Sequence, residues 1–257
     1  MSGSATDERR LERIRSYIER EQRATVGDIA KEFDLSVATA RRALVALADR
    51  GEIVRFRGGA LAVLHAGQEP PVLQRQSEQR EAKARIGRAA ANLVADGETV
   101  FLGSGSTTLE VARHLEGRRD LTVLTNSLLV IQRLASSQDI ALIALGGMLR
   151  KSEFSFIGHL VEQALQEMRA TKVIMGIRAV HPEYGLMNDD LSETQTDRAI
   201  VRMAQEVVIV ADHTKCGRIA PAFVAPAAAV STLVTDIGAP DTFVEEMQSL
   251  GIAVYRV

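Results

Sequence analysis

From Arg80 to the end of the chain, short apolar segments alternate with segments of helical periodicity, and this alternation restricts the possible folds most strongly. Buried strands are predicted at residues 98–102, 121–125, 140–145, 172–177, 206–211, 231–235 and 252–257. Helices are predicted at 80–95, at 109–115, from Asn126-Ser127 onward, and near 160–168, 193–204 and 241–250. Such a pattern is typical of an α/β domain whose mainly parallel sheet is covered on both faces. These sheets bind ligands at the carboxyl ends of their strands, where the strand order reverses.

The first sixty residues show a different pattern, in which three helices precede a hairpin. The helices are predicted at 7–22, from Thr25 onward, and from Ser36 to Leu47, with Thr25 and Asp28 as a weak capping box. In the third helix Ser36 stands at the N-cap position, and one face is predicted to be buried through Val37, Ala40, Leu44 and Leu47. Two helices joined by a short turn form a helix-turn-helix.

A basic hairpin follows the third helix. Val54 and Phe56 alternate with Arg55 and Arg57, and Gly58-Gly59 is predicted to form a two-residue turn. Beside a helix-turn-helix this hairpin is a wing whose arginines can reach a phosphate backbone. An ordinary amphipathic helix with a solvated arginine pair is the alternative for the third helix. The wing favours operator DNA as the partner, with contacts to bases and phosphates predicted at Ser36, Thr39, Arg41, Arg42, Arg55 and Arg57.

Charge and composition argue against several classes of protein, such as membrane-spanning, secreted and metal-binding proteins. Residues 1–60 hold 12 Lys/Arg and 10 Asp/Glu, whereas the remainder holds 19 and 23, so any DNA binding depends on where the charges lie. The single cysteine, Cys216, excludes an internal disulfide and suits a reducing cytoplasm. The apolar segments are too short to span a membrane, and the charged start of the chain does not suit a signal peptide. The five histidines lack metal-ligand spacing, so we expect no metal and no cofactor.

We therefore predict two domains joined by a linker. The winged helix-turn-helix occupies residues 1–60, and the mainly parallel α/β domain occupies residues 78–257. The predicted linker, residues 61–77, contains Gly67, Pro70 and Pro71 and little periodicity.

Four loops after predicted strands are candidates for ligand binding. Gly103 to Thr108 follows a strand and opens a helix, so its backbone N–H groups and hydroxyls can hold an anion. Its glycine spacing matches neither a dinucleotide-binding nor a Walker loop. Thr125-Asn126-Ser127, Gly146-Gly147 and Asp212 to Lys215 occupy corresponding positions. The alternatives are plain turns, helix caps and a surface lysine. Predicted ligand contacts are Ser104, Gly105, Ser106, Thr107, Asn126, Gly147 and Lys215.

The acidic residues Asp189, Asp190 and Glu193 have two possible interpretations. They can form an acid/base group, or they can belong to a charged loop that leads into a helix, which we favour. We therefore predict no catalytic residues.

The chain resembles the DeoR family of bacterial transcriptional regulators along nearly its whole length. The resemblance rests on an ordered set of motifs: Ser36, Thr39, Arg41, Arg42 and Leu44; Arg55, Arg57, Gly58, Gly59 and Ala60; Lys83, Ile86 and Gly87; Gly105 to Thr108; Thr125 to Ser127; Gly146-Gly147; Gly185-Leu186; and Ala211-Asp212 with Lys215 and Gly217. The chain departs from the family pattern at Ala43, where Asp is usual, and at Gly103, where an acid is common. It departs also at Thr171, where Asp is common, and at Asp197, where Lys is common.

The resemblance implies an effector domain similar to ribose-5-phosphate isomerase that senses a phosphorylated sugar. It implies a regulator, more often a repressor, that controls sugar metabolism and is not an enzyme. We expect a homo-oligomer, because a helix-turn-helix usually binds paired half-sites. The alternative is a sugar-phosphate isomerase or transferase with an appended DNA-binding domain, since fold alone does not decide function. Gly103 and the lack of an evident acid/base pair argue against that alternative.

Overall fold

The computed structural model describes residues 3–21, 23–50, 52–56, 58–62 and 70–257. The chain divides into two compact units. One comprises Met1–Gly67 with Gly217–Pro221, and the other comprises Gln68–Cys216 with Ala222–Val257.

The first unit contains the predicted winged helix-turn-helix. Its elements are α1 (Gly3–Glu21), β1 (Arg23–Thr25), α2 (Val26–Glu32), α3 (Val37–Asp49), β2 (Ile53–Phe56) and β3 (Gly59–Ala62). The strands form an antiparallel sheet in the order β1-β3-β2. The helices and sheet enclose a small apolar core whose largest members are Ile14, Ile18, Ile29, Leu44 and Leu47.

Side-chain caps determine where α2 and α3 begin. The Asp28 amide donates to Thr25 Oγ1 at 3.1 Å, and the Thr25 amide donates to Asp28 Oδ2 at 2.8 Å, which completes the predicted capping box. At the start of α3 the Thr39 amide donates to Ser36 Oγ at 3.1 Å. These caps satisfy amides that have no partner within the helix, so the entry into α3 is set locally.

The buried face of α3 differs from the predicted one. Val37 is 52% exposed, and the core-facing stripe consists of Ala40, Ala43, Leu44 and Leu47. Val37 occupies the first turn of α3, which projects beyond the core of the unit. Ala43 belongs to this stripe, and its small apolar side chain is buried in the core of the unit.

The wing turn also differs from the prediction. Phe56 pairs with Gly59 in the β2–β3 ladder, so Gly59 is a strand residue and the predicted Gly58-Gly59 turn is wrong. Of the two glycines, only Gly58 has a positive φ, +106°, which suits a turn. A Cβ on Gly59 would lie 2.3 Å from the Ala24 carbonyl oxygen. Glycine is therefore needed at position 59 because β1 approaches β3 closely there.

We expect Gly59→Ala to lower the free energy of unfolding of the first unit by about 1–3 kcal/mol, the usual cost of overpacking. Gly27→Ala is the matched control, since Gly27 is exposed in α2 and its added Cβ would meet nothing closer than 3.5 Å. An alanine in a helix is ordinarily more stable than glycine by about 0.5–1 kcal/mol. Urea denaturation of the two variants measures the contrast, and equal midpoints would contradict the packing argument.

The second unit is the predicted α/β domain. Its helices are α4 (Val72–Arg75), α5 (Arg80–Ala91), α6 (Ser106–Leu115), α7 (Leu128–Leu134), α8 (His159–Glu167), α9 (Leu191–Arg202) and α10 (Asp241–Ser249). Its strands are β4 (Thr99–Leu102), β5 (Leu121–Thr125), β6 (Ile140–Ala144), β7 (Met148–Arg150), β8 (Ser155–Ile157), β9 (Ala170–Met175), β10 (Ala179–His181), β11 (Gly185–Asn188), β12 (Ala204–Val210), β13 (Ala222–Ala225), β14 (Thr232–Thr235) and β15 (Ala253–Arg256).

Seven parallel strands form the main sheet in the order β15-β14-β12-β9-β4-β5-β6. Phe101 belongs to the core on one face, and its neighbours Val100 and Leu102 belong to the core on the other. The expected doubly covered parallel sheet is therefore confirmed. Successive strands run outward in one direction from β4 and in the other from β9, so the strand order reverses between these two central strands.

Several short elements were not predicted. They are the β7–β8 hairpin, the antiparallel sheet β10-β11-β13 and helix α4. Most of these strands have only three or four residues, too few for a periodic apolar pattern. Helix α4 lies within the predicted linker, and the Val72 amide donates to the Ser152 carbonyl oxygen at 2.8 Å. This part of the segment is therefore packed structure of the second unit.

Within the described part of the chain, no helix has both the length and the apolar character needed to cross a membrane. The same residues contain no group of three or more His, Cys, Asp or Glu side chains arranged to hold a metal ion.

Candidate functional site

The start of α3 presents polar and basic side chains on the surface of the first unit. Ser36 and Thr39 share a hydrogen bond of 2.8 Å between their hydroxyl oxygens, so both hydroxyls are held at the helix N-terminus. Arg41 and Arg42 are exposed, and Arg42 Nε donates to the Ala38 carbonyl oxygen at 3.4 Å. The guanidinium groups therefore lie on the side of α3 that faces away from the core.

The wing contributes a further cation. Arg55 is exposed on β2, and Arg57 lies outside the described residues. The guanidinium of Arg23, on β1, lies 4.6 Å from the ring centre of Phe56 and is held by a cation–π contact. The sequence pattern did not indicate Arg23, because only the pairing of β1 with β3 brings it beside the wing.

A pocket in the second unit lies where the strand order reverses. It is lined by the segments after β4, β5, β9 and β12, together with residues of α9 and the segment around α4 and α5. The lining residues are Arg75, Lys83, Gly103, Ser104, Gly105, Ser106, Thr107, Asn126, Glu153, Met175, Gly176, Ile177, Arg178, Asn188, Glu193, Asp197, Ile200, Val210, Ala211, Asp212 and Lys215. Six of the seven predicted ligand contacts are among them.

One side of the pocket is suited to an anion. Gly105, with φ at +122°, precedes α6, and Ser106 and Thr107 are buried in the first turn of that helix. Amides in a first helical turn have no partner within the helix and point toward the helix N-terminus. Lys215 follows β12, and the buried Lys83 donates from Nζ to the Arg75 carbonyl oxygen at 2.6 Å. Burial lowers the pKa of Lys83, and the nearby Asp212 carboxylate opposes that change.

Gly103 lies beside β9 at the base of the same loop. A Cβ on this residue would approach the Met175 Cβ to 3.0 Å. Glycine at this position therefore permits tight packing between the ends of β4 and β9.

Asn126 is 3% exposed and lines the pocket next to the anion-binding side. Its Nδ2 donates to the Phe156 carbonyl oxygen at 2.9 Å, whereas its Oδ1 is buried without a hydrogen-bond donor among the residues that the structure describes. A buried acceptor in that condition is uncommon in folded proteins, and a bound ligand is one way to satisfy it. The neighbouring Ser127 has a different role, because its Oγ caps α7 by accepting from the Val130 amide at 3.4 Å.

Gly147 is the predicted ligand contact that does not line the pocket. It follows β6, which is the edge strand of the sheet and far from the reversal of strand order. A Cβ on Gly147 would lie 2.8 Å from Val161 Cγ2 and 2.9 Å from the Ile157 carbonyl oxygen. The glycine therefore serves close packing against β8 and α8.

Three carboxyl groups line the other side of the pocket, and we call Glu153, Glu193 and Asp197 the acidic wall. Glu193 and Asp197 lie one turn apart on α9, so their side chains share a helix face. Burial raises the pKa of both, that of Asp197 to about 7, and repulsion from Asp197 adds to the rise at Glu193. Asp189 and Asp190 lead into α9, and Glu193 lies in the first turn of that helix with its side chain lining the pocket.

Each member of the acidic wall has a different partner. Arg150 donates from Nη1 to Glu193 at 2.5 Å, and its Nε lies 3.2 Å from Asp190 Oδ2. Glu153 forms a buried ion pair with Arg75. Asp197 accepts a hydrogen bond from Asn188 Nδ2. Local sequence patterns do not reveal these pairs, because each joins side chains from different elements of the fold.

Comparison with known proteins identifies both units. The family model of the DeoR-like helix-turn-helix domain matches residues 10–65, and that of the DeoR C-terminal sensor domain matches residues 78–237. The transcriptional repressor AccR of Agrobacterium fabrum is 32% identical over 230 residues, which cover 89% of each chain. The glycerol-3-phosphate regulon repressor of Escherichia coli K12 is 32% identical over 213 residues, which cover 83% of this chain and 84% of the relative.

Among solved structures, ribose 5-phosphate isomerase A of Methanocaldococcus jannaschii aligns with 54% of this chain and 55% of its own, at 19% identity and a TM-score of 0.41. That similarity is too low to carry an argument about activity. The two family models match in succession and together cover most of the chain. The chain therefore belongs to the DeoR family of transcriptional regulators, which are DNA-binding proteins and not enzymes.

Proposed function

We propose that this regulator represses genes of sugar metabolism and that a phosphorylated sugar, bound in the pocket of the second unit, releases it from operator DNA. The observation that carries the proposal is the convergence of the Ser104–Thr107 segment and Lys215 on one pocket. The two come from strands β4 and β12, which are separated in the sheet by β9.

The phosphate group is expected to bind at the N-terminus of α6. The first amides of that helix supply oriented donors, and the hydroxyls of Ser106 and Thr107 lie in the same turn. Lys83 and Lys215 supply positive charge, and charge-assisted hydrogen bonds to a phosphate are stronger than neutral ones. The sugar hydroxyls then extend toward Asn126, whose Oδ1 is available to accept.

Operator DNA is expected to bind the surface formed by α3 and the wing. In a winged helix-turn-helix the N-terminal half of the recognition helix enters the major groove, which suits Ser36, Thr39 and the Arg41-Arg42 pair. The exposed Val37 in the same turn adds an apolar side chain that can contact a thymine methyl group. Arg55 and Arg57 contact the phosphate backbone in this proposal, and Arg23 lies near enough to the wing to assist.

A ligand changes DNA affinity only if it binds the DNA-free and DNA-bound forms with different affinities. We expect the phosphorylated sugar to favour the DNA-free form and to weaken operator binding about 5–150-fold, the usual range of coupling between two sites. Because a helix-turn-helix binds paired half-sites, we also propose that the protein acts as a homo-oligomer in the cytoplasm.

The pocket variants Ser106→Ala and Lys215→Ala are expected to weaken sugar-phosphate binding about tenfold or more while leaving operator affinity without ligand within about twofold. Both substitutions remove groups from the phosphate side and lie outside the DNA-binding unit. The measurement is operator affinity by fluorescence anisotropy, on a duplex selected from random DNA with the full-length protein. It is made with and without the sugar phosphate that gives the largest thermal shift.

Ser136→Ala and Arg119→Ala are matched controls. Both residues are exposed, and Arg119 lies just before β5, at the end of the sheet opposite the pocket. These variants should respond to the ligand as the original protein does. If Ser106→Ala and Lys215→Ala also respond without change, the pocket is not the sensing site. If no phosphorylated sugar alters melting or operator binding, sugar-phosphate control itself is wrong.

A further inference from the structure

The acidic wall has one carboxyl group whose charge is not balanced. Arg75 is paired with Glu153, and Arg150 is shared between Glu193 and Asp190. Asp197 is 7% exposed, and its contact within the described part of the chain is the hydrogen bond from the neutral Asn188 amide. When all these groups are ionised, four carboxylates face two guanidinium groups. In that fully ionised state this side of the pocket carries a surplus of two negative charges.

Burying an ionised carboxylate without a cation costs free energy. That cost is relieved either when the carboxylate takes up a proton or when it binds a positive charge. The rise in the pKa of Asp197 to about 7 is the first response, in the absence of ligand. The second response requires a cation supplied from outside the chain.

Asn126 provides an independent indication of the ligand's chemistry. Its buried Oδ1 lacks a donor among the described residues, and the side chain lines the same pocket as Asp197. An acceptor without a donor and a carboxylate without a cation both call for hydrogen-bond donors on the ligand. An ammonium group supplies several N–H donors and a positive charge, whereas a hydroxyl supplies one donor and no charge.

Building on the proposed function, we propose that the effector is a phosphorylated amino sugar whose phosphate binds at the N-terminus of α6 and whose ammonium group binds Asp197. Such a ligand is zwitterionic, as is the pocket, which has lysines and helix amides on one side and the acidic wall on the other. A sugar phosphate without an amino group would satisfy the first side and leave Asp197 without a cation.

The test uses two matched pairs of ligands with the full-length protein. These are glucosamine 6-phosphate against glucose 6-phosphate, and galactosamine 6-phosphate against galactose 6-phosphate. Within each pair the ligands differ only in an ammonium or a hydroxyl group at carbon 2. Isothermal titration at pH 7.5 is expected to show at least tenfold tighter binding of the amino sugar in one pair or both. N-acetylglucosamine 6-phosphate, which has no ammonium group, should lose that advantage.

Asp197→Asn should reduce the preference to about twofold or less, since the amide keeps the size of the side chain and removes its charge. Asp139→Asn, at an exposed position between α7 and β6, is the matched control and should keep the preference. Circular dichroism melting verifies that both variants fold. Glu193→Gln provides a second readout, because it removes one carboxyl group of the wall and keeps the Asp197 side chain, and it should reduce the preference by a smaller factor.

The pH dependence gives a readout that a purely structural role of Asp197 would not produce. The ammonium group binds the ionised carboxylate, so the preference should fall as the pH drops through about 7, where Asp197 takes up a proton. It should also fall above about pH 8, where the amino group of the ligand loses its proton. Phosphate also titrates near pH 6, but it does so in both members of a pair, so its effect cancels in the ratio of affinities. Asp197→Asn should give a ratio that does not change with pH.

Three outcomes would overturn the inference. Equal or tighter binding of glucose 6-phosphate and galactose 6-phosphate shows that the wall binds hydroxyls. The proposed control by a sugar phosphate then stands. A preference that survives in Asp197→Asn shows that another group selects the ammonium. If none of the four hexose phosphates binds, the amino-sugar assignment is wrong. The wider thermal-shift screen of phosphorylated sugars then decides the proposed function separately.

Discussion

The double variant Arg41→Ala/Arg42→Ala should bind operator DNA at least about 30-fold more weakly than the original protein, with a much smaller change on scrambled DNA. A bidentate contact from Arg to a guanine edge is ordinarily worth about 1–3 kcal/mol. Both side chains are exposed on α3, and neither belongs to the core of the first unit, so folding should be preserved. Anisotropy titrations on both DNA sequences measure the difference.

Arg50→Ala is the matched control for this prediction. Arg50 caps the opposite end of α3, and its Nη1 donates to Glu8 Oε1 at 2.9 Å. It should change operator affinity less than threefold, because the recognition surface lies at the N-terminal half of the helix. Loss of binding in Arg50→Ala as large as in the double variant would show that net charge, and not the position of the arginines, decides affinity.

Glu153→Ala is expected to lower the free energy of unfolding of the second unit by about 3–5 kcal/mol, the usual cost of removing one partner from a buried ion pair. The side chains of Arg75 and Glu153 are only 10% and 8% exposed. The substitution leaves a buried guanidinium without its carboxylate, although Arg75 Nε still donates to the Pro70 carbonyl oxygen at 2.9 Å. For a unit of this size the melting temperature should fall by roughly 6–20 °C, as scanning calorimetry would show.

An exposed ion pair supplies the comparison for Glu153→Ala. Arg133 and Glu116 are 2.7 Å apart with side chains 42% and 38% exposed, and Glu116→Ala should cost less than about 1 kcal/mol. The double variant Arg75→Met/Glu153→Leu removes both buried charges and should be less destabilised than Glu153→Ala alone. If Glu153→Ala and Glu116→Ala have the same melting temperature, the buried pair does not stabilise the second unit.

Local periodicity in the sequence determined which elements form and in what order. The caps at Thr25 and Ser36 operate within three residues, so the starts of α2 and α3 were predictable. The central strands are buried on both faces of the sheet, so each appears in the sequence as a short continuous apolar segment. The strand-to-helix loops at Gly103 and Asn126 were predictable as pocket residues, because the carboxyl ends of central parallel strands meet at one edge of the sheet.

Local periodicity did not predict the short elements or the exact position of the wing turn. The wing turn was misplaced by one residue, because the need for glycine at position 59 comes from β1 and not from the turn. Val37 fits the helical period of the buried stripe, yet it is exposed at the first position of α3, and the buried stripe begins only at Ala40. Periodicity reports which face of a helix points inward but not how far along the helix the core extends.

The sequence by itself therefore determined the winged helix-turn-helix, the parallel α/β unit and the loops that line the basic side of the pocket, because each is encoded by neighbouring residues. Only the tertiary structure decided the opposite side. Arg75 and Glu153 are 78 residues apart in the chain, and Glu193 meets Arg150 across 43 residues. The strand order, and not any local pattern, also placed Gly147 outside the pocket and Asp197 within it. The net charge of a binding site is a sum over side chains from distant elements. It can therefore be assigned only when the fold shows which of these side chains lie together.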